Sequence, residues 1–551
     1  MGRVMSGKEK AVVIGAGMGG LAAAIRLSAL GLSVTVVDMA DAPGGKARAV
    51  PSGAGPVDTG PTVMTLPDVA DSLFRLCGTR LEDEVDLIAL PRLARHFWPG
   101  SPSLDLFSDS EANFESIRAF AGLREAEGFA RFDSLSAGLL AAFDAPVMRA
   151  AKPMLAPVAL AALRQPRLWP ALIPGLSLER LLKRYFRDPR LVQLFGRYAT
   201  YVGGRPAQSP AVLSLIWRVE AQGVFAVRQG MHGLAAALAR VAAAKGVEFR
   251  FATRARRIVR QGGHVTGVEV DGGGTLPCTI CVFNGDPQAL AEGQLGDAVA
   301  VNRSAKAPKR SLSAWVWAFA AEPRGVDLAH HNVFFTADPA QEFGPIGRGE
   351  MPVAPTLYVC AQDRELGTVP PALERFEIIL NGPAGHPPLT DEDALCRTRT
   401  FPALRAQGLT FSPPPGPQAL LTPHILSRRY PGSRGAIYGG SPEAAMAAFQ
   451  RPTARTALAG LYLAGGGAHP GAGVPMALLS GGHAATAVAE DRMRPTFAPQ
   501  TFAPQTFAPQ TFAPQTPAQA KARISASASA PADTPGGIST PSQATGQKPS
   551  R

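Results

Sequence analysis

The sequence predicts an α/β fold organised on a parallel sheet to which three separated parts of the 551-residue chain contribute. Near the N-terminus, AVVIGAGMGGLAAAIRLSALGLSVTVVD reads as strand, glycine turn, helix and strand. Past the middle, GLAAALARVAAAKG reads as an Ala-rich amphipathic helix, with strands following in VEFRFATRARRIVR, HVTGVEV and TICVFNGD. Towards the C-terminus, GLYLAGGGAHPGAGVPMALLSGGHAATAVAE repeats the order of strand, glycine turn and helix, the helix starting near Val474. Alternation of this kind builds parallel sheets, and the chain's return to the same sheet makes the domain discontinuous.

Each element follows from its residues. Val12, Val13 and Ile14 are apolar on both strand faces, as suits a strand covered by helices on either side. Gly15 permits a tight turn, Gly17 lets the backbone approach a pyrophosphate, and Gly20 lets helix and strand pack closely, with the helix N-terminus facing the negative charge. Asp38 ends the second strand, where a carboxylate accepts hydrogen bonds from a ribose diol. Strand, turn, helix, strand and terminal acid in this order predict a Rossmann-type site for an ADP-containing dinucleotide. The continuation Pro43-Gly44-Gly45-Lys46-Ala47-Arg48 points to FAD rather than a nicotinamide cofactor, since it adds a second glycine turn and two cations beside the phosphates.

A chain of this length forms more than one domain. We expect an FAD-binding domain from 8–66, 228–300 and 455–494, and a mixed-sheet substrate domain from 67–133 and 301–454. A helical lid or membrane-facing subdomain is expected over 134–227, and a disordered repetitive tail over 495–551. In the tail TFAPQ occurs four times from Thr496 to Gln515, and so few apolar side chains do not offset the entropy of ordering the backbone. SAWVWAFA, PTLYVCAQ and FEIILNG read as strands of the second sheet, able to roof an apolar tunnel. Between Ser134 and Tyr201, prolines 153, 157, 166, 170 and 174 break a Leu- and Ala-rich stretch into short helices flanked by Lys152, Arg164, Arg167, Lys183, Arg184 and Arg187. Such helices suit either a lid or the headgroup layer of a membrane.

The net charge is +12. The basic residues are scattered and accompany no nucleic-acid motif, so nucleic acid is not an expected partner, whereas an anionic membrane surface is. Neither a secretory signal nor an apolar run of spanning length stands out, and the expected location is cytoplasmic, peripheral to the inner face of a bacterial membrane. Five cysteines suggest no disulfide framework, and the Cys278/Cys281 pair lacks the partners of a zinc site, so no metal is expected.

Together GAGMGGLAAAIRL, PGGKAR, DTGPT and LYLAGGGAHPGAGVP resemble the signatures of the phytoene desaturase family of FAD-dependent carotenoid desaturases, over nearly the whole chain before the tail. Gly466 stands where many flavin amine oxidases carry an acidic residue. The stretch LPRLARHFWPGSPSLDLFSD is most similar to the hydroxyneurosporene desaturases of purple bacteria, also called methoxyneurosporene dehydrogenases or 1-hydroxycarotenoid 3,4-desaturases. The resemblance implies pyrophosphate contacts at Gly15, Gly17, Gly19 and Gly20, and a ribose contact at Asp38. It places Gly45, Lys46, Gly60, Pro61 and Thr62 along the rest of FAD, Ala255 at the adenine, and Gly473, Val474, Pro475 and Met476 at the flavin ring. It further implies an acyclic hydroxycarotenoid substrate, carotenoid biosynthesis in a photosynthetic setting, and an electron acceptor such as a quinone or oxygen.

Desaturation of this kind takes a hydride from one carbon and a proton from its neighbour. Conjugation spreads the developing cation and acidifies the adjacent C–H bond, so no strong base is required, and none stands out. The catalytic group stays unassigned. His469, in the last glycine turn, is a candidate proton acceptor or a backbone-bonded structural residue, and His96 is a candidate contact for a hydroxyl end group. Asp58 is read as bracing its turn. Alternative readings are phytoene desaturase, a carotenoid oxygenase or amine oxidase of the same fold, and a non-catalytic isoprenoid carrier.

Overall fold

The computed structural model describes residues 8–300, 309–443, 447 and 450–493, so the expected tail over 495–551 lies outside the described residues. The expected parallel sheet is present. Its five strands run in the order Leu461–Leu463, Ile280–Phe283, Lys10–Ile14, Ser33–Val37 and Glu248–Arg250, all parallel. The central position of Lys10–Ile14 explains its composition, since Val12 and Val13 are each buried against a different apolar cluster. Three antiparallel strands, Ala255–Gln261, His264–Val270 and Thr275–Pro277, follow the Glu248–Arg250 edge and lead back into the sheet through Ile280–Phe283. Cys281 sits within that strand, and Cys278 and Cys281 are both buried as free thiols in its apolar packing.

Close packing holds the layers together. The helices Met18–Ala29 and Val474–Met493 lie side by side, and a Cβ on Gly481 would meet Ala22 Cβ at 2.8 Å and the Gly19 carbonyl oxygen closer still. Pro67–Leu76 adds Val69, Ala70, Leu73 and Phe74 to this same core rather than to the second sheet. The helix Gly230–Ala244 completes it with Leu234, Leu238 and Val241.

The second sheet is mixed. Leu409–Ser412, Ser313–Gly325, Glu374–Gly382, Leu357–Ala361 and His331–Phe334 pair antiparallel in that order. Ala94–Phe97 then joins His331–Phe334 in parallel and pairs antiparallel with Leu104–Leu106. Its helix-facing side buries Trp315, Trp317 and Phe376 against the helix Glu392–Ala406, which contributes Leu404. The segment 123–220 is helical, led by Leu123–Phe143, and packs around Phe129, Phe132, Phe186, Phe195 and Trp217, with the indole of Trp217 donating to Asp133 at 2.8 Å. The prolines act as expected here. They divide 155–172 into Leu155–Arg164, Pro166–Leu168 and Trp169–Leu172. No helix among the described residues is long and apolar enough to cross a membrane.

Gly481→Val forces the two long helices apart against backbone atoms that have nowhere to move. We expect a loss of about 1–3 kcal/mol, the range of overpacked cores. A denaturant titration against the wild type, with Ala485→Val on the same helix as comparison, measures it.

Candidate functional site

Three glycine turns from distant parts of the chain meet at the C-terminal edge of the parallel sheet, the location at which α/β sheets bind ligands. Gly15 turns there with φ of +100°, its N–H donating to Val37 O at 2.8 Å. Asn284, directly after Ile280–Phe283, joins the turns. Its backbone N–H donates to Ile14 O, and its side-chain amide donates to Gly15 O at 3.1 Å. A Cβ on Gly19 would lie 2.6 Å from Gly465 N and 2.7 Å from Asn284 Oδ1. Pro43-Gly44-Gly45 folds over the first turn through a Gly44 N–H bond to Ala16 O (2.9 Å) and is held from the other side by the Tyr430 hydroxyl, which donates to Gly45 O at 2.9 Å.

These turns border a continuous cavity of about 1820 Å³. Of the residues singled out in the sequence, Gly15, Gly17, Gly19, Asp38, Gly45, Lys46, Gly60, Pro61, Thr62, Ala255, Gly473, Val474, Pro475 and Met476 all line it. At one end Asp38 accepts from Ala16 N (2.6 Å) and Ala40 N (2.8 Å), while Thr253 N donates to the Asp38 carbonyl and brings Ala255 alongside. Burial raises the Asp38 carboxyl pKa, opposed by those two N–H donors and by Arg48. At the other end Val474–Met493 begins at the cavity wall. Beyond the turns the lining becomes apolar, with Phe143, Val147, Phe186, Ile216 and Val219 from the helical segment and Val316 and Ile379 from the second sheet.

Four residues from the sequence reading, Gly20, His469, His96 and Asp58, do not line the cavity. Gly20 lies beneath it, where a Cβ would run into the Gly15 carbonyl oxygen, so its role is helix-to-strand packing. His469 is buried, and its Nε2 pairs with Ala150 O at 2.8 Å, tying the last glycine turn to the helical segment. His96 is buried between Trp98 and Phe335, with Nδ1 3.1 Å from Leu104 O, and burial together with Arg197 pushes its pKa down to about 3. Asp58 was expected to brace its own turn through nearby backbone; its carboxylate instead accepts from the distant Met231 N and, at 3.4 Å, His232 N, and so caps Gly230–Ala244.

Lys46 lines the cavity and turns its ammonium onto the carbonyls of Ile437 and Ala436. Burial, with Arg310 and Arg451 adding repulsion and Asp286 opposing it, lowers its pKa to about 8. Arg451, which the sequence reading did not single out, crosses behind the C-terminal turn and donates to Gly466 O (2.8 Å), Tyr438 O (3.0 Å) and Gly440 O (3.2 Å). Asn284, Tyr430 and Glu377 were missed likewise. Only Asn284 carries a local signal, the polar residue closing TICVFN at a strand's C-terminal end. Glu377 Oε1 accepts from Gly60 N at 2.7 Å, and Thr62 Oγ1 lies 2.6 Å from the Tyr358 hydroxyl, itself 2.6 Å from His331 Nδ1. Both bonds come from the second sheet and hold the Gly60-Pro61-Thr62 turn at the cavity.

The arrangement fits a dinucleotide. The helix Met18–Ala29 begins at Gly17 without a capping side chain and without an acidic residue in its first turn, which leaves its N–H groups for an anionic ligand. The narrow passage between Gly17, Gly45 and Asn284 has no room for a side chain, since a Cβ on Gly17 would meet Asn284 Nδ2 at 2.9 Å and one on Gly45 would meet Gly17 Cα at 3.0 Å.

Glu377 offers a test of how the Gly60 turn is held. Burial raises its pKa well above the usual carboxylate range, and nearby Asp58 adds to the effect, although the Gly60 N–H opposes it. A raised folded-state pKa gives stability that is full at low pH and is lost as pH rises through the raised value. Glu377→Gln, which keeps an acceptor and cannot ionise, is expected to fold as the wild type does and to resist alkaline pH better. Glu377→Leu is expected to lose about 1–3 kcal/mol by leaving the Gly60 N–H unpaired. Thermal melts across pH measure both.

The family described as Flavin containing amine oxidoreductase matches residues 18–319. The chain is 64% identical to a hydroxyneurosporene desaturase of Rhodobacter capsulatus over 490 residues, 89% of this chain and 99% of that protein. It is 56% identical to a hydroxyneurosporene desaturase of Cereibacter sphaeroides over 88% of this chain and 98% of that one. Among solved structures, a CLA-producing fatty acid isomerase from P. acnes shares the fold with a TM-score of 0.56 at 13% identity, covering 88% of this chain and 98% of the other. The glycine turns, the cavity they border and these likenesses agree: the chain belongs to the flavin containing amine oxidoreductase family and, within it, to the hydroxyneurosporene desaturases.

Proposed function

We propose that this protein is an FAD-dependent desaturase that introduces a C=C bond at the 3,4 position of an acyclic hydroxycarotenoid of the hydroxyneurosporene type. One observation carries the reading: a single cavity joins the dinucleotide turns to an apolar region, so that a polyene bond and a flavin ring could share one space. The Asp38 end, with Thr253 and Ala255 beside it, suits an adenosine, and Gly17, Gly19 and Gly45 suit the pyrophosphate between. A bound FAD supplies a two-electron acceptor for hydrogen leaving the carotenoid. The protein's part is positioning and exclusion of water. Apolar side chains from two separate elements fix the rod-like substrate, and the Val474 helix N-terminus, with Lys46 and Arg451 behind it, favours negative charge at the ring end. Neither His469 nor His96 faces the cavity, so we assign the proton to no side chain.

The substrate reaches this site from a membrane. Met154, Leu155, Leu160, Leu163, Trp169 and Ile173 are exposed within one short stretch, Leu163 by 72%, and Lys152, Arg164 and Arg167 are exposed among them. Apolar side chains with basic neighbours are the composition of a surface that sits among anionic headgroups. Phe143, Val147 and Met148 just before this stretch and Glu179 and Lys183 just after it line the cavity, which in this reading sets the bilayer surface beside the site, and the protein works at the inner face of a bacterial membrane.

The purified protein should be yellow and release FAD on denaturation. Anaerobic incubation with hydroxyneurosporene and a quinone should yield a product two hydrogens lighter with a red-shifted spectrum, and oxygen is the alternative acceptor to compare. A flavin-loaded protein that leaves hydroxyneurosporene unchanged with both acceptors overturns the reading. Leu163→Asp combined with Trp169→Ala should reduce co-sedimentation with anionic vesicles several-fold while flavin content stays constant. Equal sedimentation would remove the membrane surface from this segment.

A further inference from the structure

Arg197 stands in the cavity wall with no hydrogen bond and no ion pair among the described residues. Its guanidinium carbon lies 4.9 Å from the ring centre of Tyr201 and 5.6 Å from that of Tyr358. Aromatic faces stabilise the charge but leave the N–H donors of the guanidinium unpaired. The neighbouring carboxyl, Glu220, accepts from the Tyr198 hydroxyl at 2.9 Å and forms no ion pair with Arg197. Donors of this kind, without a protein partner and facing a cavity, are placed to meet an acceptor that arrives with the ligand and lose it when the ligand brings none.

The position of Arg197 is set by two of the turns that frame the cavity. The helical turn Arg197–Val202 ends at Gly203, whose carbonyl accepts from Leu312 N (2.9 Å), and Ser311 in turn bonds Gly439 O through its N–H (3.0 Å) and Tyr438 N through its hydroxyl (3.1 Å). Gly439 packs on the C-terminal glycine turn, where a Cβ would meet Gly467 Cα at 3.0 Å. On the other side Tyr358 is bonded to Thr62 of the Gly60-Pro61-Thr62 turn. Arg197 is thereby bracketed by the Gly60-Pro61-Thr62 turn, assigned along FAD, and by the C-terminal glycine turn, which leads to the residues assigned to the flavin ring.

We infer that Arg197, with Tyr201 beside it, binds the oxygen of the substrate's end group and so sets both the preference for an oxygenated carotenoid and the bond that is desaturated. This inference rests on the desaturase reading above. In a 1-hydroxycarotenoid a single carbon separates C1, which bears the oxygen, from C3, so a group that holds the oxygen must stand next to the reacting C3–C4 bond. Arg197 occupies such a place. A hydrocarbon end group leaves its donors unpaired, which a site built for a hydroxyl does not tolerate well. Arg197 is a positioning residue in this scheme and takes no part in hydrogen transfer.

The test uses flavin-loaded wild type, Arg197→Leu, Arg197→Lys and Tyr201→Phe, each with hydroxyneurosporene and with neurosporene, its counterpart without the hydroxyl. Two quantities are read for each protein: kcat/KM, and affinity from the change in carotenoid absorption on binding. The wild type should favour the hydroxylated carotenoid in both, and Arg197→Leu should shrink that ratio by about tenfold to hundredfold, the range of one charge-assisted hydrogen bond. Arg197→Lys should restore part of it, with KM rather than kcat moving first. Tyr201→Phe should weaken it less and serves if Arg197→Leu does not fold. A wild-type ratio near one, or a full preference kept by Arg197→Leu or Arg197→Lys and Tyr201→Phe together, overturns the inference and leaves the desaturase reading intact. Failure of the wild type to desaturate either carotenoid overturns that reading instead, and the binding ratio still judges Arg197.

Discussion

Backbone meets backbone at the centre of this molecule, and the remaining architecture follows from that contact. The Gly19 turn touches Gly465, and Gly481 touches the helix that starts at Gly17, so segments some 450 residues apart in sequence lie in van der Waals contact with no side chain between them. Asn284 locks the arrangement from a third segment by bonding to Gly15 O while its oxygen faces Gly465. Only glycine permits this approach at Gly19 and Gly481. The outcome is a groove whose walls are peptide groups, with unpaired N–H donors of a helix facing the space where a pyrophosphate lies in the proposed complex.

Charge is distributed around the groove in a way that favours anions at one end and neutral hydrocarbon beyond it. Lys46 and Arg451 are held by backbone carbonyls rather than by carboxylates, and burial lowers the pKa of Arg451 to about 10, with Arg310 adding to the effect and Asp286 opposing it. Asp286 is committed to Arg310. Two cations without private counter-ions raise the local potential beside the glycine turns, while Phe143, Val147, Ile216 and Val316 make the adjoining wall apolar. Arg197 is the exception inside the apolar part. Its guanidinium packs on Tyr201 and Tyr358 and makes no direct ion pair with the neighbouring Glu220, which in the proposed complex leaves its donors for an oxygen on the substrate.

The helical segment has two surfaces with different tasks. Inward, Phe129, Phe132, Phe195 and Trp217 form a tightly packed aromatic core that anchors it to the rest of the chain. Outward, Leu160, Leu163 and Trp169 stay exposed on short, proline-divided helices that bury little of their own. His469, bonded to Ala150, links this segment to the last glycine turn, in keeping with the backbone-bonded role that was one of its two readings.

Local patterns in the sequence were enough for the parallel sheet, the three glycine turns, the helix starting at Val474 and fourteen of the cavity-lining residues, because these depend on short-range rules: apolar strands, glycines at fixed offsets, an acid at a strand end. Those rules say nothing about which side chains from other elements arrive opposite a turn. Glu377 beneath Gly60, Tyr430 on Gly45, Arg451 behind Gly466 and Arg197 beside Tyr358 are separated from their partners by 15 to more than 300 residues, and no periodicity encodes such pairings. His469 and His96 were legible as candidates by residue type, yet their burial away from the cavity was settled by tertiary packing. The sequence alone determined where a dinucleotide's phosphates could be met by bare backbone; folding decided which buried charges surround that backbone, because desolvation and pairing depend on neighbours that only the three-dimensional structure brings together.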